Sequence, residues 1–373
     1  MRTSNKGFSV IVASHGRIEL LANLLSSLNR SRSVIDENIE VLVIDSTPVN
    51  HSEEVCDTCK RFGAILIEGP LNVRRKRNIG AQSATREWLF FVDSDCEVSL
   101  HIFEAYRRVF LSDKEIRAAA GPTVFRGDET SFTKLIRKSA LLDPFRRPNN
   151  STHLLWSTTS NLCIRRDVFE SIGGFREDFP FRLGGDDTDL CLRLRDLGHV
   201  IISVPEALCY HSWATWSRPS LVVRRSFRWG WMHSRLMRDH PRYRRFDAPG
   251  LPVHMLAVIA IGIIGSITGD VKIILIPVLF FGLAILLHAL FASLYTPQKW
   301  LAFIEDLALA LVELPFGFGR ALGSLANGSL LGILYRLDAD DVAMDSMFPE
   351  TVRSLWSDHL ALLCSSFIIW WII

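Results

Sequence analysis

The chain lacks three features that would each assign it to a class of protein at once. It has no excess of charge of one sign, since 42 lysines and arginines face 40 aspartates and glutamates for a net charge of +2. The basic field typical of nucleic-acid-binding proteins is therefore absent, and we expect no nucleic-acid partner. A zinc pattern is also absent, because Cys56 and Cys59 have no second Cys or His pair at ligand spacing. A surface helix is favoured over a redox or metal role for this pair.

The third missing feature is a signal peptide, because the first residues, Met1–Gly7, are polar and lead straight into a strand pattern. We therefore expect the first domain to stay in the cytosol with reduced thiols. Basic residues do bunch locally, at Arg74–Arg77, Arg137–Arg147 and Arg218–Arg245, so local anionic partners are expected.

Apolar side chains are abundant, at 48% of the 373 residues, and their excess begins at Leu251. Single hydrophobic cores stop growing at roughly 250–300 residues, so two parts are expected. The sequence predicts an α/β domain over 1–215, a basic amphipathic interfacial segment over 216–250, and an apolar helical region over 251–373.

The first part alternates short β-branched runs with amphipathic helical stretches, which indicates βαβ units around a mostly parallel sheet. The predicted strands are Phe8–Ala13, Ile39–Ile44, Ala64–Ile67, Leu89–Val92 and Ala118–Thr123, and the predicted helices are Ile18–Leu28, Ser52–Phe62, Arg74–Ala84 and Leu100–Phe110. The polar, Pro-containing stretch Gly127–Ser157 is predicted to be a long loop. Loops that follow the carboxyl ends of such strands, after Ala13, Ile44 and Val92, should converge on one crevice.

The apolar C-terminal region contains two nearly uncharged runs, Leu251–Thr268 and Val271–Leu294. Each has the length of about 17–25 residues that a membrane-spanning helix requires. The basic stretch before them favours the cytosol for both ends. Charges interrupt Leu301–Leu337, which favours an interfacial or re-entrant pair of helices, and His359–Ile373 is a short terminal anchor or an interfacial segment. We therefore expect an integral membrane protein with a cytoplasmic catalytic domain, in the inner or plasma membrane if the source is prokaryotic.

The strongest local signal for chemistry is Asp93-Ser94-Asp95, where a hydrophobic strand ends on two carboxylates. Asp93 and Asp95 can hold a divalent cation such as Mg²⁺ or Mn²⁺, a hard ion that prefers oxygen ligands and bridges diphosphate oxygens. The alternative is that both residues cap the next helix.

A second acidic cluster, Asp186, Asp187 and Asp189, follows two glycines at a predicted helix start. Interaction with the helix dipole suffices to explain Asp189. Three carboxylates in one turn repel one another, however, and such crowding raises the proton affinity of one of them toward that of a general base. Asp187 is the candidate.

Together these segments resemble glycosyltransferase family 2, the inverting enzymes with the GT-A fold. The resemblance runs from Phe8 to about His211 and depends on motifs in order: Ser9–Arg17, Val43–Thr47, Asn72–Gly80, Asp93–Asp95, Ser160–Phe175 and Gly184–Leu190. In the third of these, Arg74 and Lys76 stand where glycine and alanine are commoner. The implied fold is a Rossmann-like, nucleotide-sugar-binding α/β domain followed by the helical membrane region.

The resemblance also implies roles for individual residues. The donor nucleotide would contact Ala13, Ser14, Arg17 and Asp45 on the base side, and Arg77, Asn78 and Asp93 near ribose or phosphate. Asp95 would ligate the metal, with His211 as a further ligand in some relatives, although a lone His is more often structural. Asp187, in the pair with Asp186, would deprotonate the acceptor hydroxyl.

A final motif, Arg225-Ser226-Phe227-Arg228-Trp229, is similar to one found in membrane polysaccharide synthases and ceramide glucosyltransferases. There the Arg meets the diphosphate and the Trp stacks on the acceptor sugar, roles that would fall to Arg228 and Trp229. The alternative is an amphipathic helix at the membrane surface, and both can hold.

The expected function is transfer of a sugar from a nucleotide-diphosphate donor to a membrane-associated lipid or glycan acceptor. Three alternatives stay open: a processive polysaccharide synthase, a non-catalytic membrane scaffold of the same fold, and a nucleotidyltransferase. A processive synthase would require more membrane helices than the two clear spans. A non-catalytic scaffold would lack the metal-binding or the base aspartate. The third would want a glycine-rich basic signature after the first strand.

Overall fold

The fold is described from a computed structural model of the chain. The structure describes residues 5–48, 52–181, 184–246, 251–269 and 299–337, together with a few single positions between 270 and 298.

The β-strands are β1 Asn5–Ser14, β2 Ile39–Asp45, β3 Ile65–Glu68, β4 Arg86–Asp93, β5 Cys96–Val98, β6 Ala118–Ala120, β7 Thr123–Arg126, β8 His153–Leu154, β9 Leu162–Arg165, β10 Ile201–Ser203, β11 Cys209–Ser212, β12 Arg244–Phe246 and β13 Tyr335–Leu337. The α-helices are α1 Ile18–Arg32, α2 Ser52–Arg61, α3 Val73–Ser83, α4 Ile102–Ser112, α5 Ser131–Lys138, α6 Asp143–Arg146, α7 Arg166–Ser171, α8 Asp186–Asp196, α9 Pro219–Asp239, α10 Leu251–Thr268 and α11 Lys299–Ala326. Short 3₁₀ turns occupy Ala140–Leu142, Arg147–Asn149, Trp213–Thr215, Pro241–Tyr243 and Leu330–Leu334.

The chain divides into two compact units. The first unit comprises Met1–Glu129 and Asp143–Ser217, and the second comprises Thr130–Leu142 and Arg218–Asp338, each within the described residues. The first unit holds a mixed sheet of eight strands in the order β3-β2-β1-β4-β9-β6-β10-β8. The pairs among β3, β2, β1 and β4 are parallel, whereas β9 runs antiparallel to both β4 and β6. The predicted α/β architecture is confirmed.

The sheet forms because its central strands are apolar on both faces. In β1, Val10 and Val12 pack into one buried cluster with Leu21 of α1, while Ile11 points the other way into a second cluster with Ala81 of α3. Alternate side chains of a strand face opposite sides of its sheet, so a continuous apolar run is stable only when helices cover both faces. Truncation of such a buried residue to Ala typically costs about 2–5 kcal/mol.

Strand register places the polar ends of three strands at one edge. Ser14 pairs with Asp45 of β2, and Ala13 pairs with Asp93 of β4. The predicted convergence of the loops after these strands follows directly from this register.

The predicted strand Ala118–Thr123 is confirmed over Ala118–Ala120 but is not continuous, because the chain forms two strands that belong to different sheets. Gly121 and Pro122 separate β6 from β7, and a Cβ at Gly121 would lie 1.9 Å from the carbonyl oxygen of Ala207. Glycine at this position thus permits the close approach of that backbone where the chain leaves the large sheet. Strand β7 then joins a small sheet of order β5-β11-β7, in which His211 pairs with Cys96 on one side and Phe125 on the other.

Two further expectations need correction in the second unit. The predicted loop Gly127–Ser157 contains helix α5, which begins with a reciprocal capping box between Thr130 and Thr133. The predicted pair of helices over Leu301–Leu337 is wrong, because one helix, α11, runs through Pro315 to Ala326. The second unit also contains α9 packed against α11, and the antiparallel strands β12 and β13.

Within the described ranges, no helix is long and apolar enough to span a bilayer. The two predicted spans are thus not confirmed. Much of Val271–Leu294 and all of His359–Ile373 lie outside the described residues.

Candidate active site

The site lies at the carboxyl edge of β2, β1 and β4 in the first unit. Asp45 ends β2, and its carboxylate accepts hydrogen bonds from the backbone N–H of Thr47 at 2.6 Å and from the Thr47 hydroxyl at 2.9 Å. The buried Lys76 ammonium donates to the carbonyl oxygen of Ser14 at the end of β1. These contacts fix the ends of β1 and β2. The residues predicted to contact the donor nucleotide lie there: Ala13, Ser14 and Asp45.

Arg17 follows β1 in a left-handed conformation, with φ of +53°. This region is unfavourable for a residue with a side chain, and such strain clusters at functional sites. The Arg17 guanidinium donates to Asp95 Oδ2 at 3.0 Å, while about half of the arginine side chain stays exposed. The loop after β1 therefore places a solvent-accessible cation beside the predicted metal ligand.

Asp95 and His211 face each other across the start of the small sheet. Asp95 Oδ1 lies 3.4 Å from His211 Nε2, and His211 Nδ1 lies 3.1 Å from the carbonyl oxygen of Ser212. Phe125 stacks on the imidazole with ring centroids 4.9 Å apart, which fixes the plane of the ring. The structure thus brings together Asp95 and His211, the two residues to which the family resemblance gives a metal-binding role.

These two residues fit a divalent cation. A carboxylate oxygen and an imidazole nitrogen that face each other at 3.4 Å are donors that Mg²⁺ and Mn²⁺ accept. Cys96 Sγ lies in the same cluster, within 4.8 Å of the other two ligand atoms. Burial, with help from Asp93 and Asp95, raises the pKa of the Cys96 thiol well above its ordinary value, so the sulfur stays protonated. A neutral thiol is a poor ligand for a hard cation, so Asp95 and His211 are the candidate ligands.

Arg77 of α3 joins the two acidic motifs. Its buried guanidinium donates to Asp186 Oδ2 at 2.7 Å and to Asp93 Oδ1 at 2.9 Å. Burial alone would lower the pKa of Arg77, but the charges of Asp93, Asp186 and Asp187 outweigh burial and raise it. A permanently charged arginine thus neutralises one carboxylate from each motif.

Asp187, one residue further along α8, has a different environment. Its Oδ1 accepts a hydrogen bond from the backbone N–H of Thr188 at 2.9 Å, and among the described residues it forms no ion pair. Burial, reinforced by the negative charge of Asp186, raises the pKa of Asp187 from 3.8 to about 7. Neighbouring carboxylates whose pKa values are pushed apart are typical of acid–base sites. The structure therefore distinguishes Asp186, which is ion-paired with Arg77, from Asp187, which has a raised pKa and no ion pair among the described residues.

Two further residues of the predicted motifs, Asn78 and Asp189, make contacts that stabilise the fold. Asn78 accepts from the backbone N–H of Phe175 at 2.8 Å and donates to its carbonyl oxygen at 2.8 Å, so it holds the turn that follows α7. Its predicted contact with the nucleotide stays a prediction. Asp189 is fully buried and pairs with Arg193 at 2.9 Å and Arg176 at 3.4 Å, which gives it a stabilising role beyond the helix dipole.

Arg228 and Trp229 lie on α9 in the second unit, each partly buried. Their predicted roles toward the diphosphate and the acceptor sugar stay predictions.

Sequence reasoning missed the part that Arg74 plays. This side chain is fully buried and donates to the carbonyl oxygens of Phe181 and Gly184. The one signal in the sequence was a bulky cation at a position where the family resemblance favours glycine. Nothing local identifies its partners, which lie more than 100 residues away along the chain.

Comparison with known proteins identifies the class. Residues 5–231 match the family described as Glycosyltransferase like family 2, a stretch that carries the large sheet and every carboxylate described above. The match defines the class as a glycosyltransferase-like α/β domain. Because the match covers more than half of the chain, the protein belongs to Glycosyltransferase like family 2.

Individual relatives are more distant. The O-antigen biosynthesis protein RfbC of Myxococcus xanthus is 26% identical over 230 residues, which cover 56% of this chain and 17% of RfbC. The chain thus spans about a sixth of the length of that relative. A mannosyltransferase, PcManGT from Pyrobaculum calidifontis, in complex with GDP-Man and Mn²⁺ is similar at 14% identity and a TM-score of 0.43, covering 98% of this chain and 87% of that one. GalNAc-T7 with UDP, GalNAc and Mn²⁺ is similar at 17% identity and a TM-score of 0.43, covering 56% and 44%.

Proposed function

We propose that the protein is a metal-dependent inverting glycosyltransferase that moves a sugar from a nucleotide diphosphate to an acceptor hydroxyl. The observation that supports this proposal is that the four carboxylates of the site differ in their ion pairs. Asp93 and Asp186 are ion-paired with Arg77, Asp95 faces Arg17 and His211, and Asp187 has a pKa of about 7 and no ion pair among the described residues.

Asp187 supplies the general base. It accepts the proton of the acceptor hydroxyl as that oxygen forms a bond to the anomeric carbon and the bond from that carbon to the phosphate oxygen breaks. The nucleotide diphosphate leaves with the bonding electrons. One displacement without a covalent sugar–enzyme intermediate inverts the anomeric configuration.

The remaining residues prepare the site for this charge movement. Arg77 pairs with Asp93 and Asp186 and so offsets negative charge that would repel the diphosphate, and the exposed Arg17 contributes positive potential at the strand ends. A divalent cation held by Asp95 and His211 would neutralise the negative charge of the leaving group.

We also propose that the acceptor is a lipid or glycan at a membrane surface. Helix α10 exposes isoleucines around its circumference, at Ile259, Ile261, Ile263, Ile264 and Ile267, the last 80% exposed. Large exposed apolar surface is typical of membrane or protein contact. Helix α9 carries basic and aromatic side chains in alternation, which suits anionic headgroups. The name of the Myxococcus relative, an O-antigen biosynthesis protein, supports a glycan product.

A donor panel tests the proposed activity. Purified protein is incubated with UDP-, GDP- and dTDP-sugars, and released nucleotide is measured with Mg²⁺, with Mn²⁺ and with EDTA. We expect release from at least one donor with metal and none with EDTA. Asp187→Asn should abolish release, whereas Asp196→Asn, an exposed aspartate at the end of the same helix, should keep it. Release that is equal in all three proteins would contradict the proposal.

Vesicle flotation tests the membrane part separately. The full chain should float with vesicles of phosphatidylglycerol and phosphatidylcholine, and the double variant Ile264→Asp, Ile267→Asp should float less. A wild-type protein that stays at the bottom of the gradient would refute membrane association and leave the donor chemistry unaffected.

A further inference from the structure

Arg74 has no exposed surface, although it is an arginine beside the active-site carboxylates. Its guanidinium donates to the carbonyl oxygens of Phe181 at 2.6 Å and Gly184 at 3.0 Å, and it lies over the ring of Phe179 at 4.8 Å. A side chain without exposed surface cannot touch a substrate. Any effect of Arg74 on the reaction must therefore act through the backbone that it holds.

The described part of that backbone, Gly184 and Gly185, leads directly into α8, and its local side-chain hydrogen bond runs from the Gly184 N–H to Asp186 Oδ1 at 3.2 Å. Gly184 and Gly185 both have positive φ, at +104° and +78°, so two consecutive residues use the conformational freedom of glycine. The N-cap of α8 is Gly185, which offers no side chain to cap the helix. Contacts from outside the segment therefore add to this local hydrogen bond at the start of α8.

Arg74 supplies two such contacts, one to the backbone and one to a side chain. It holds the carbonyl oxygen of Gly184, and it lies 3.7 Å from Asp186 Oδ1, while Arg77 binds Asp186 Oδ2. The first residue of α8 is clamped between two guanidinium groups, one on each carboxylate oxygen. Asp187 is the next residue in the same turn, so its direction follows from the clamp.

We propose that Arg74 is a positioning residue that sets the start of α8 and thereby the placement of Asp187. The proposal rests on the proposed role of Asp187 as the base. A planar guanidinium can serve two carbonyl oxygens and a carboxylate at once, which a lysine ammonium on a flexible stem does not reproduce. Lysine at this position is also a cation, but it lacks the planar guanidinium that can donate to several oxygens at once.

The test compares Arg74→Lys and Arg74→Met with Arg75→Met, the exposed neighbour on the same helix. The assay measures kcat and the donor KM with the best donor of the panel, and hydrogen exchange follows the backbone amides of residues 184–190. A misplacement of about 1 Å can reduce a rate by about a hundredfold. We expect kcat to fall by about 10- to 100-fold in both Arg74 variants, the donor KM to change less than about twofold, and exchange at 184–190 to rise. Arg75→Met should match the wild type.

Each other outcome is decisive. A donor KM that rises as much as kcat falls in Arg74→Lys, loss of donor binding in that variant, or wild-type kcat and exchange in Arg74→Met would overturn the positioning role. Asp187→Asn, measured alongside, separates the two proposals. If that variant keeps full transfer, the base assignment fails, whereas the exchange data still decide whether Arg74 holds the start of α8.

Discussion

If Asp187 is a carboxyl kept for chemistry, replacing it with Asn should stabilise the native protein. The native pKa is about 7 and the ordinary value is 3.8, a difference of about 3 units. Because the native state binds the proton more tightly than the unfolded state, stability falls as pH rises from about 4 to about 7. Each unit corresponds to about 1.4 kcal/mol, so ionised Asp187 destabilises the fold by about 4 kcal/mol at pH 8. At pH 5 this penalty is smaller, because pH 5 is only about one unit above the ordinary pKa at which the unfolded carboxyl ionises.

Asparagine has the shape of aspartate without the charge, so Asp187→Asn removes the penalty. Calorimetry in EDTA should show a Tm for the α/β unit raised by about 10 °C at pH 8 and by about 5 °C or less at pH 5, at roughly 2–4 °C per kcal/mol. Asp189→Asn is the matched control on the same helix. Because Asp189 is fully buried and paired with Arg193, its replacement should lower Tm at both pH values.

The opposite signs of these two substitutions are the test. A lower Tm for Asp187→Asn at pH 8, or a change in Tm that does not depend on pH, would mean that Asp187 is a stabilising carboxylate like Asp189. The reasoning that makes it a proton acceptor would then fail.

Three other predictions concern neighbouring groups. The base must be deprotonated, so kcat/KM should rise about tenfold per pH unit up to about pH 7 and then level off, and a flat profile between pH 5 and 7 would contradict this. Asp95→Asn should weaken Mn²⁺ binding at least about tenfold in a paramagnetic titration, and unchanged affinity would remove Asp95 from the metal site. Arg77→Met should destabilise the fold by about 3–5 kcal/mol, because it leaves Asp186 less well paired in a buried position. Thermal unfolding checks this, and a Tm within 2 °C of wild type, on the order of 1 kcal/mol, would refute it.

Local patterns in the sequence predict most of the α/β fold. The predicted strand Leu89–Val92 lies within β4, which runs from Arg86 to Asp93. A continuous apolar run of this kind predicts a strand buried on both faces from the local sequence alone. The break of the predicted strand at Gly121 and Pro122 was missed. The Gly121-Pro122 pair signals a turn in the sequence, but the close approach of the Ala207 backbone at Gly121 exists only once the chain has folded.

In the site, too, local motifs could be predicted from the sequence, whereas contacts between distant parts of the chain could not. Asp93, Asp95, Asp186 and Asp187 stand in short motifs, and their residue types and spacing indicated metal and base chemistry directly. Which carboxylate is neutralised and which is left to accept a proton depends on Arg77, from a different part of the chain. Ion pairing between distant elements leaves no periodic trace in a sequence, so this assignment required the structure.

The stereochemistry of sugar release tests the central claim most directly and needs no knowledge of the acceptor. With the best donor of the panel and water as acceptor, proton NMR follows the anomeric signal of the first sugar released, before mutarotation. The account predicts the configuration opposite to that of the donor, with release lost in Asp187→Asn. A retained configuration, or equal release by Asp187→Asn, would contradict single displacement with Asp187 as the base.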